Sequence, residues 1–161
     1  MFKIGDKAVY PAQGVGVVEA IEAKEISGEK YQFYVLRIVD SDMTIMIPVA
    51  NAQLVGMRGV VTAEQLPSIY DVLEERQANG GGIASWSRRQ REYNEKIKSG
   101  DLMEVAEVLR ELYHIKEDKD LSYGEKKVLE QARKLLIKEL AVAEGKEEEA
   151  VAEQVESLLL N

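Results

Sequence analysis

The chain has no cysteine, one histidine and one tryptophan in 161 residues, and these shortages remove several chemistries. Without cysteine there is no disulfide framework, thiol nucleophile or Cys-based zinc site, and a reducing cytosol is favoured. Long apolar runs are missing too. The apolar stretches carry charges and fall short of the roughly 20 residues that span a bilayer, and Met1-Phe2-Lys3 begins no signal peptide. The expected location is cytoplasmic, with no membrane association. His114 stands at a helix end beside Tyr113, with no serine and acid arranged around it, and reads as structural or exposed. Gly14-Val15-Gly16 lacks the third glycine of a dinucleotide fingerprint, because position 19 is Glu, and no Gly-Lys-Ser/Thr phosphate loop occurs. Neither an enzyme, a metal site nor a cofactor is expected.

What is present suffices for a core: 45% of residues are apolar, and the length suits one ordinary domain or two small ones. The formal charge of −8 argues at face value against nucleic acid, since phosphate binding is carried by Lys and Arg. Its distribution changes that reading. From Glu139 onward seven glutamates stand against one basic residue, Lys146, so most of the acidity lies at the C-terminal end. Runs such as Glu147-Glu148-Glu149 read as solvated helix faces.

The pattern changes near residue 60. Before it come short β-type runs at 8–10, 14–21, 31–39 and 43–47, separated by turn signals at Pro11-Ala12-Gln13-Gly14, Ser27-Gly28 and Asp40-Ser41-Asp42. Four or five such strands suit a small, strongly twisted SH3-like or Tudor-like barrel. One strand face takes Met43, Ile45 and Ile47 with Met46 opposite, and another places Phe33 and Val35 against Tyr34, Leu36 and Ile38. One side is core. The other packs under a neighbouring domain or offers a surface and sheet edge to another protein.

After residue 60 the period is helical. Capping-box patterns occur at Thr62-Ala63-Glu64-Gln65, Asp101-Leu102-Met103-Glu104 and Ser122-Tyr123-Gly124-Glu125. Apolar stripes follow the last two, through Leu102, Val105, Ala106, Leu109, Leu112 and Tyr113, and through Val128, Leu129, Ala132, Leu135, Leu136, Leu140 and Ala143. With helices near 67–77, 86–98 and 146–160, about five helices joined by short loops predict an antiparallel bundle. The fold class is therefore α+β: a small N-terminal β-barrel domain over 1–58, then an all-α domain over 59–161.

The stretch 79–91, Asn-Gly-Gly-Gly-Ile-Ala-Ser-Trp-Ser-Arg-Arg-Gln-Arg, is the most informative. Three glycines read as a mobile connector, and the helix behind them opens with Trp86 ahead of Arg88, Arg89 and Arg91. At 100° per residue Tyr93 and Ile97 lie within roughly 20° of Trp86, while Arg88 and Arg91 sit roughly 140° to 160° away. Two readings stay open on the residues alone. Trp86 is a core residue at a helix start, or its indole projects past the helix end and wedges between base steps while the arginines hold phosphates. Lys126-Lys127 forms a second basic pair, in the first turn of the helix capped by Ser122.

Taken together, Asp6-Lys7-Ala8-Val9-Tyr10-Pro11 with Gly14-Val15-Gly16, Tyr34-Val35-Leu36-Arg37-Ile38, Met46-Ile47-Pro48-Val49, Trp86-Ser87-Arg88-Arg89, Ala106-Glu107-Val108-Leu109-Arg110 and Leu121-Ser122-Tyr123-Gly124-Glu125-Lys126-Lys127 resemble the CarD family of bacterial transcription regulators, in particular its short CdnL-type members. The resemblance runs from residue 3 to about 144. It implies a Tudor-like domain that binds the RNA polymerase β subunit, followed by a helical domain that contacts promoter DNA and stabilises the open complex. Trp86 takes the position of the family's minor-groove wedge at the upstream bubble edge. Basic DNA contacts fall on Arg88, Arg91 and Lys126, with Arg89 and Lys127 beside them. Polymerase contacts fall on Lys24, Val35, Met46 and Pro48, with Arg37 in the same matched run. Some members carry Arg at the positions of Lys24 and Met46, so here one contact is a weaker fork and the other is apolar. The expected state is a monomer that binds free DNA weakly and without sequence preference. The alternative is a protein-protein adaptor of the transcription machinery with no DNA contact.

Overall fold

A computed structural model describes residues 1–75 and 86–160, with the side chain of Trp86 outside that description. The glycine-rich connector expected before Trp86 lies outside the described residues. The chain divides into two compact units, Met1–Val60 and Val61–Asn161.

The first unit is a five-stranded antiparallel sheet. Its strands are β1 (Lys7–Tyr10), β2 (Gly14–Ile26), β3 (Glu29–Ile38), β4 (Thr44–Pro48) and β5 (Arg58–Gly59), with a 3-10 turn at Val49–Asn51. The order β4-β3-β2-β1-β5 is that of the expected small barrel, left open between β4 and β5. Alternation in β3 buries Tyr34, Leu36 and Ile38, which meet Ala8, Val18, Ile47, Ala52 and Met57 in one core. Phe2 closes that core edge-on against Tyr34 at 5.7 Å between ring centres, and its amide donates to the Tyr34 hydroxyl at 3.1 Å.

Turn chemistry sets the register. Ser27 and Gly28 both have positive φ, the two-residue type I′ geometry that matches strand twist. Gly16 lies between β1 and β3, where a Cβ would stand 2.8 Å from Leu36 Cγ and 2.9 Å from the Arg37 carbonyl oxygen, so the strands approach closely only because no side chain is there. A bulge between Val18 and Ala20 leaves Glu19 unpaired in the β2–β3 ladder.

The β2–β3 hairpin is longer than the apolar pattern predicts, pairing as far as Ile26 and Glu29. Its outer half is charged and exposed, which hides it from a hydrophobic alternation, although ladder hydrogen bonds need only backbone. Met43 departs from the expected face with Ile45 and Ile47. It precedes β4, follows Asp42 at φ 55°, and is exposed.

Among the described residues the second unit holds five helices: α1 (Leu66–Glu74), α2 (Trp86–Lys98), α3 (Leu102–Asp118), α4 (Tyr123–Glu144) and α5 (Glu148–Leu159). The α3 and α4 stripes are buried through Leu109, Leu112, Ala132, Leu136 and Leu140, while Tyr113, Leu135 and Ala143 stay half-buried. Tyr93 and Ile97 seat α2 against this core, and Val151, Val155 and Leu159 seat α5 beneath its acidic face. Arg110, buried on α3, donates to the Val72 carbonyl at 3.1 Å and to Glu75 at 3.2 Å, tying off the C-terminal end of α1.

The three capping patterns differ in outcome. At Ser122 the box is complete: the Glu125 amide donates to the Ser122 hydroxyl at 3.2 Å, and the Ser122 amide donates to the Glu125 carboxylate at 2.9 Å. At Asp101 only half forms. Its carboxylate accepts from Met103, while its own amide, which Glu104 would have taken, goes to the Ser99 hydroxyl. Thr62 opens no helix. Gln65 folds back onto the Thr62 amide in a turn, and α1 starts at Leu66 with Pro67 in its first turn.

Candidate functional site

Two surfaces gather the expected site residues, one on each unit. On the sheet, the pairings Val35↔Met46, Phe33↔Pro48, Arg37↔Thr44 and Lys24↔Tyr31 place Lys24, Val35, Arg37, Met46 and Pro48 on the face opposite the core. Met46 is 40% exposed, and the Lys24 Nζ lies 3.7 Å from its sulfur. Val35, Phe33 and Pro48 are half-buried. The result is an apolar strip bordered by Lys24, with Arg37 on the same face. It runs along β4, an edge strand with no further strand paired to its outer side among the described residues. Arg37 differs from the rest of this set. Its guanidinium donates to Glu19, the bulge residue, at 2.5 Å and to Asp42 at 3.3 Å, and the Glu19 carboxylate raises its already high pKa.

On the helical unit, the first turns of α2 and α4 are joined. Arg89 Nη1 meets the Glu125 carboxylate at 3.3 Å, with the two side chains only 17% and 3% exposed. Burial pushes the Glu125 carboxyl up, but hydrogen bonds from Ser122 and Arg89, with Lys119 nearby, outweigh burial and hold it below its ordinary value. Tyr93, one turn on from Arg89, faces both Arg89 and Glu111; burial beside Glu111 pushes its phenol up to about 12, so it stays protonated.

The other cations remain outside. Arg88 is 77% exposed, with Glu92 3.9 Å away, and Arg91, Lys126 and Lys127 are exposed as well. Arg88, Arg91, Lys126 and Lys127 thus stand near the starts of two helices that the Arg89–Glu125 contact bridges. Arg89 is the expected DNA contact that sits apart from this exposed set. Trp86 is the first residue of α2.

Residues 2–61 match the model of the CarD-like/TRCF RID domain, and residues 68–156 match that of the CarD C-terminal domain. The chain belongs to the CarD family. It is 40% identical over 145 residues to YdeB of Bacillus subtilis (strain 168), a transcription-factor candidate by its name, covering 90% of this chain and 94% of YdeB. Among solved structures it is similar to CdnLNt from Myxococcus xanthus, at 52% identity over 38% of this chain and 86% of that one, with a TM-score of 0.33. It is also similar to the 72-residue N-terminal domain of Myxococcus xanthus CarD, at 36% identity over 37% of this chain and 79% of that one, with a TM-score of 0.32.

This CarD-family protein has features near its candidate surfaces that composition and spacing did not single out. Tyr123, the first residue of α4, is 69% exposed and carries the Lys127 ammonium 5.1 Å from its ring centre. Its i,i+4 spacing to Lys127 was the available signal. The inward turn of Arg89 also had a signal, since it lies only about 40° around the helix from Tyr93. Among the described residues no helix is long and apolar enough to cross a membrane, and no group of His, Asp and Glu is arranged to hold a metal ion.

Proposed function

We propose that this protein acts at transcription initiation by docking its sheet on the RNA polymerase β subunit and bringing the starts of α2 and α4 to promoter DNA, where Trp86 and the exposed cations stabilise the open complex. The observation that carries the reading is the exposure of Arg88, Arg91, Lys126 and Lys127 near the starts of two helices bridged by the Arg89–Glu125 pair in a chain of the CarD family. Support for the docking half comes from the apolar strip of Val35, Met46 and Pro48 with Lys24 at its border, beside the open edge of β4. Edge pairing supplies affinity through backbone and specificity through alternate side chains.

Charge fits this division of labour. A chain of net charge −8 with four exposed cations at the DNA surface binds isolated duplex poorly at physiological salt. Tethered to polymerase, the same surface meets DNA at an effective concentration on the order of millimolar, where weak contacts are occupied. No chemistry is needed. A preference of about 1.4 kcal/mol for the open over the closed complex shifts the equilibrium about tenfold. Trp86 serves as an apolar plate that reads the distorted groove by shape, and the arginines hold phosphates that carry no sequence information.

The test is promoter melting followed by a fluorescent base inside the bubble, with purified polymerase, with and without the protein. The expected result is a larger melted fraction and slower collapse after competitor is added. A docked protein that changes neither overturns the reading.

A further inference from the structure

Charge alone assigns Arg89 to phosphate, together with Arg88 and Arg91. Its surroundings say otherwise. At 17% exposure its guanidinium faces a carboxylate that is 3% exposed, so a phosphate would have to displace a partner already buried. We propose that Arg89 and Glu125 are a positioning pair: they fix the first turn of α2 on the first turn of α4, and so set where Trp86, Arg88 and Arg91 are presented relative to Lys126. This rests on the reading of α2 as the helix that meets DNA.

The carboxylate is suited to that task because both its oxygens are committed. Glu125 Oε1 accepts the Ser122 amide at 2.9 Å, and Oε2 accepts Arg89 at 3.3 Å. The capping box therefore holds the anchor in one rotamer before Arg89 arrives, and Arg89 meets a fixed acceptor rather than a mobile surface glutamate. The middle and end of α2 have their own ties, with Tyr93 and Ile97 in the core and Lys96 donating to Glu107 of α3 at 2.8 Å. Arg89 extends this seating into the leading turn. On the helical wheel Arg88 and Arg91 stand about 100° and 160° from Arg89. Turning Arg89 inward thus turns both others out. Lys126 follows Glu125 directly, about 100° around α4. One internal pair therefore serves as the common reference for cations on two helices.

The chain's single tryptophan, Trp86, reports on this turn without any DNA. In the free protein, Arg89→Ala and Glu125→Gln should each lower Trp86 fluorescence anisotropy, while Arg88→Ala leaves it at the wild-type value. Glu125→Gln keeps the acceptor for Ser122, so the cap and fold survive, and far-UV circular dichroism checks this. The double variant should be no worse than the more severe single one, as expected of two residues acting through one contact. On polymerase-promoter complexes, Arg89→Ala should shorten open-complex lifetime between about twofold and thirtyfold at every salt concentration, with the salt slope unchanged. Arg88→Ala should flatten the slope by about 0.9 for the phosphate it gives up. A flattened slope for Arg89→Ala makes Arg89 a phosphate contact and overturns the proposal, as does unchanged anisotropy in both pair variants. If Arg88→Ala also leaves slope and lifetime untouched while the anisotropy falls as expected, the pair still orders α2 but the DNA reading is what fails.

Discussion

Replacing Arg88 and Arg91 together by alanine separates what these arginines do for the fold from the role proposed for them at DNA. For the fold they do little. Arg88 is 77% exposed and its contact with Glu92 is a 3.9 Å surface pair at i,i+4, a geometry that contributes about 0.3–0.5 kcal/mol. Arg91 is exposed, and alanine is the better helix former by a few tenths. Net stability should therefore stay within about 0.5 kcal/mol of wild type. On the proposed reading the same change removes two phosphate contacts, which should flatten the dependence of log K on log salt by about 1.8 on duplex. Between 50 and 200 mM salt, a fourfold range, that is about a twelvefold smaller change in affinity. The assay is open-complex lifetime on a linear promoter across that range, with polymerase docking measured in parallel. A double variant that folds, docks and keeps the wild-type slope would refute the assignment of phosphate contact to α2 and leave a protein-protein adaptor.

Other outcomes follow from particular contacts. Gly16→Ala puts a methyl 2.8 Å from Leu36 Cγ and 2.9 Å from the Arg37 carbonyl; backbone cannot yield cheaply, so the sheet unit should lose about 1–3 kcal/mol, read as a lower denaturant midpoint. Met46→Glu changes an exposed position on the β4 face and offers Lys24, now 3.7 Å from the Met46 sulfur, a carboxylate to pair with. It should abolish polymerase docking in a direct binding titration with little loss of stability, whereas full docking would remove the sheet face from the account. Glu125 has its carboxyl held below its ordinary value by Ser122 and Arg89, with Lys119 nearby. Its contribution is therefore complete above the unfolded-state pKa, about 4.3, and is lost as pH falls through the lower folded value. Thermal unfolding between pH 6 and 3 should show this acid sensitivity in wild type and a weaker one in Glu125→Gln; identical curves would contradict it.

How much of this was legible in the sequence depends on whether the deciding interaction was local. Alternation in β3 named Tyr34, Leu36 and Ile38 as one face, and that face is the core. The i,i+3/i+4 stripes of α3 and α4 named most of their buried apolar residues, while Val108, Ile137 and Ala141 are buried beside them and Tyr113, Leu135 and Ala143 of the stripes stay half-buried. The outer β2–β3 ribbon was only partly legible: the turn at Ser27-Gly28 and the run from Tyr31 were, but residues 22–26 and 29–30, in pairs such as Glu25↔Lys30, are held by backbone and carry no apolar period. Charge patterning does not separate Arg89 from the run of arginines it belongs to, whereas in the structure this one residue turns inward to a glutamate 36 positions away. No local rule pairs those two. Glu125 was read as the fourth member of a capping box, which it is; its second oxygen, and with it the tie between two helices, needed the tertiary structure.

The central claim is that Trp86 itself holds the bubble open, and the most direct measurement compares open-complex lifetime for wild type, Trp86→Phe and Trp86→Ala at equal polymerase occupancy. The account predicts that Trp86→Ala docks normally, keeps its helical content and collapses as fast as polymerase alone, with Trp86→Phe between the two. A folded, docked Trp86→Ala with the wild-type lifetime would contradict it, as would loss of the helical fold on removing the indole.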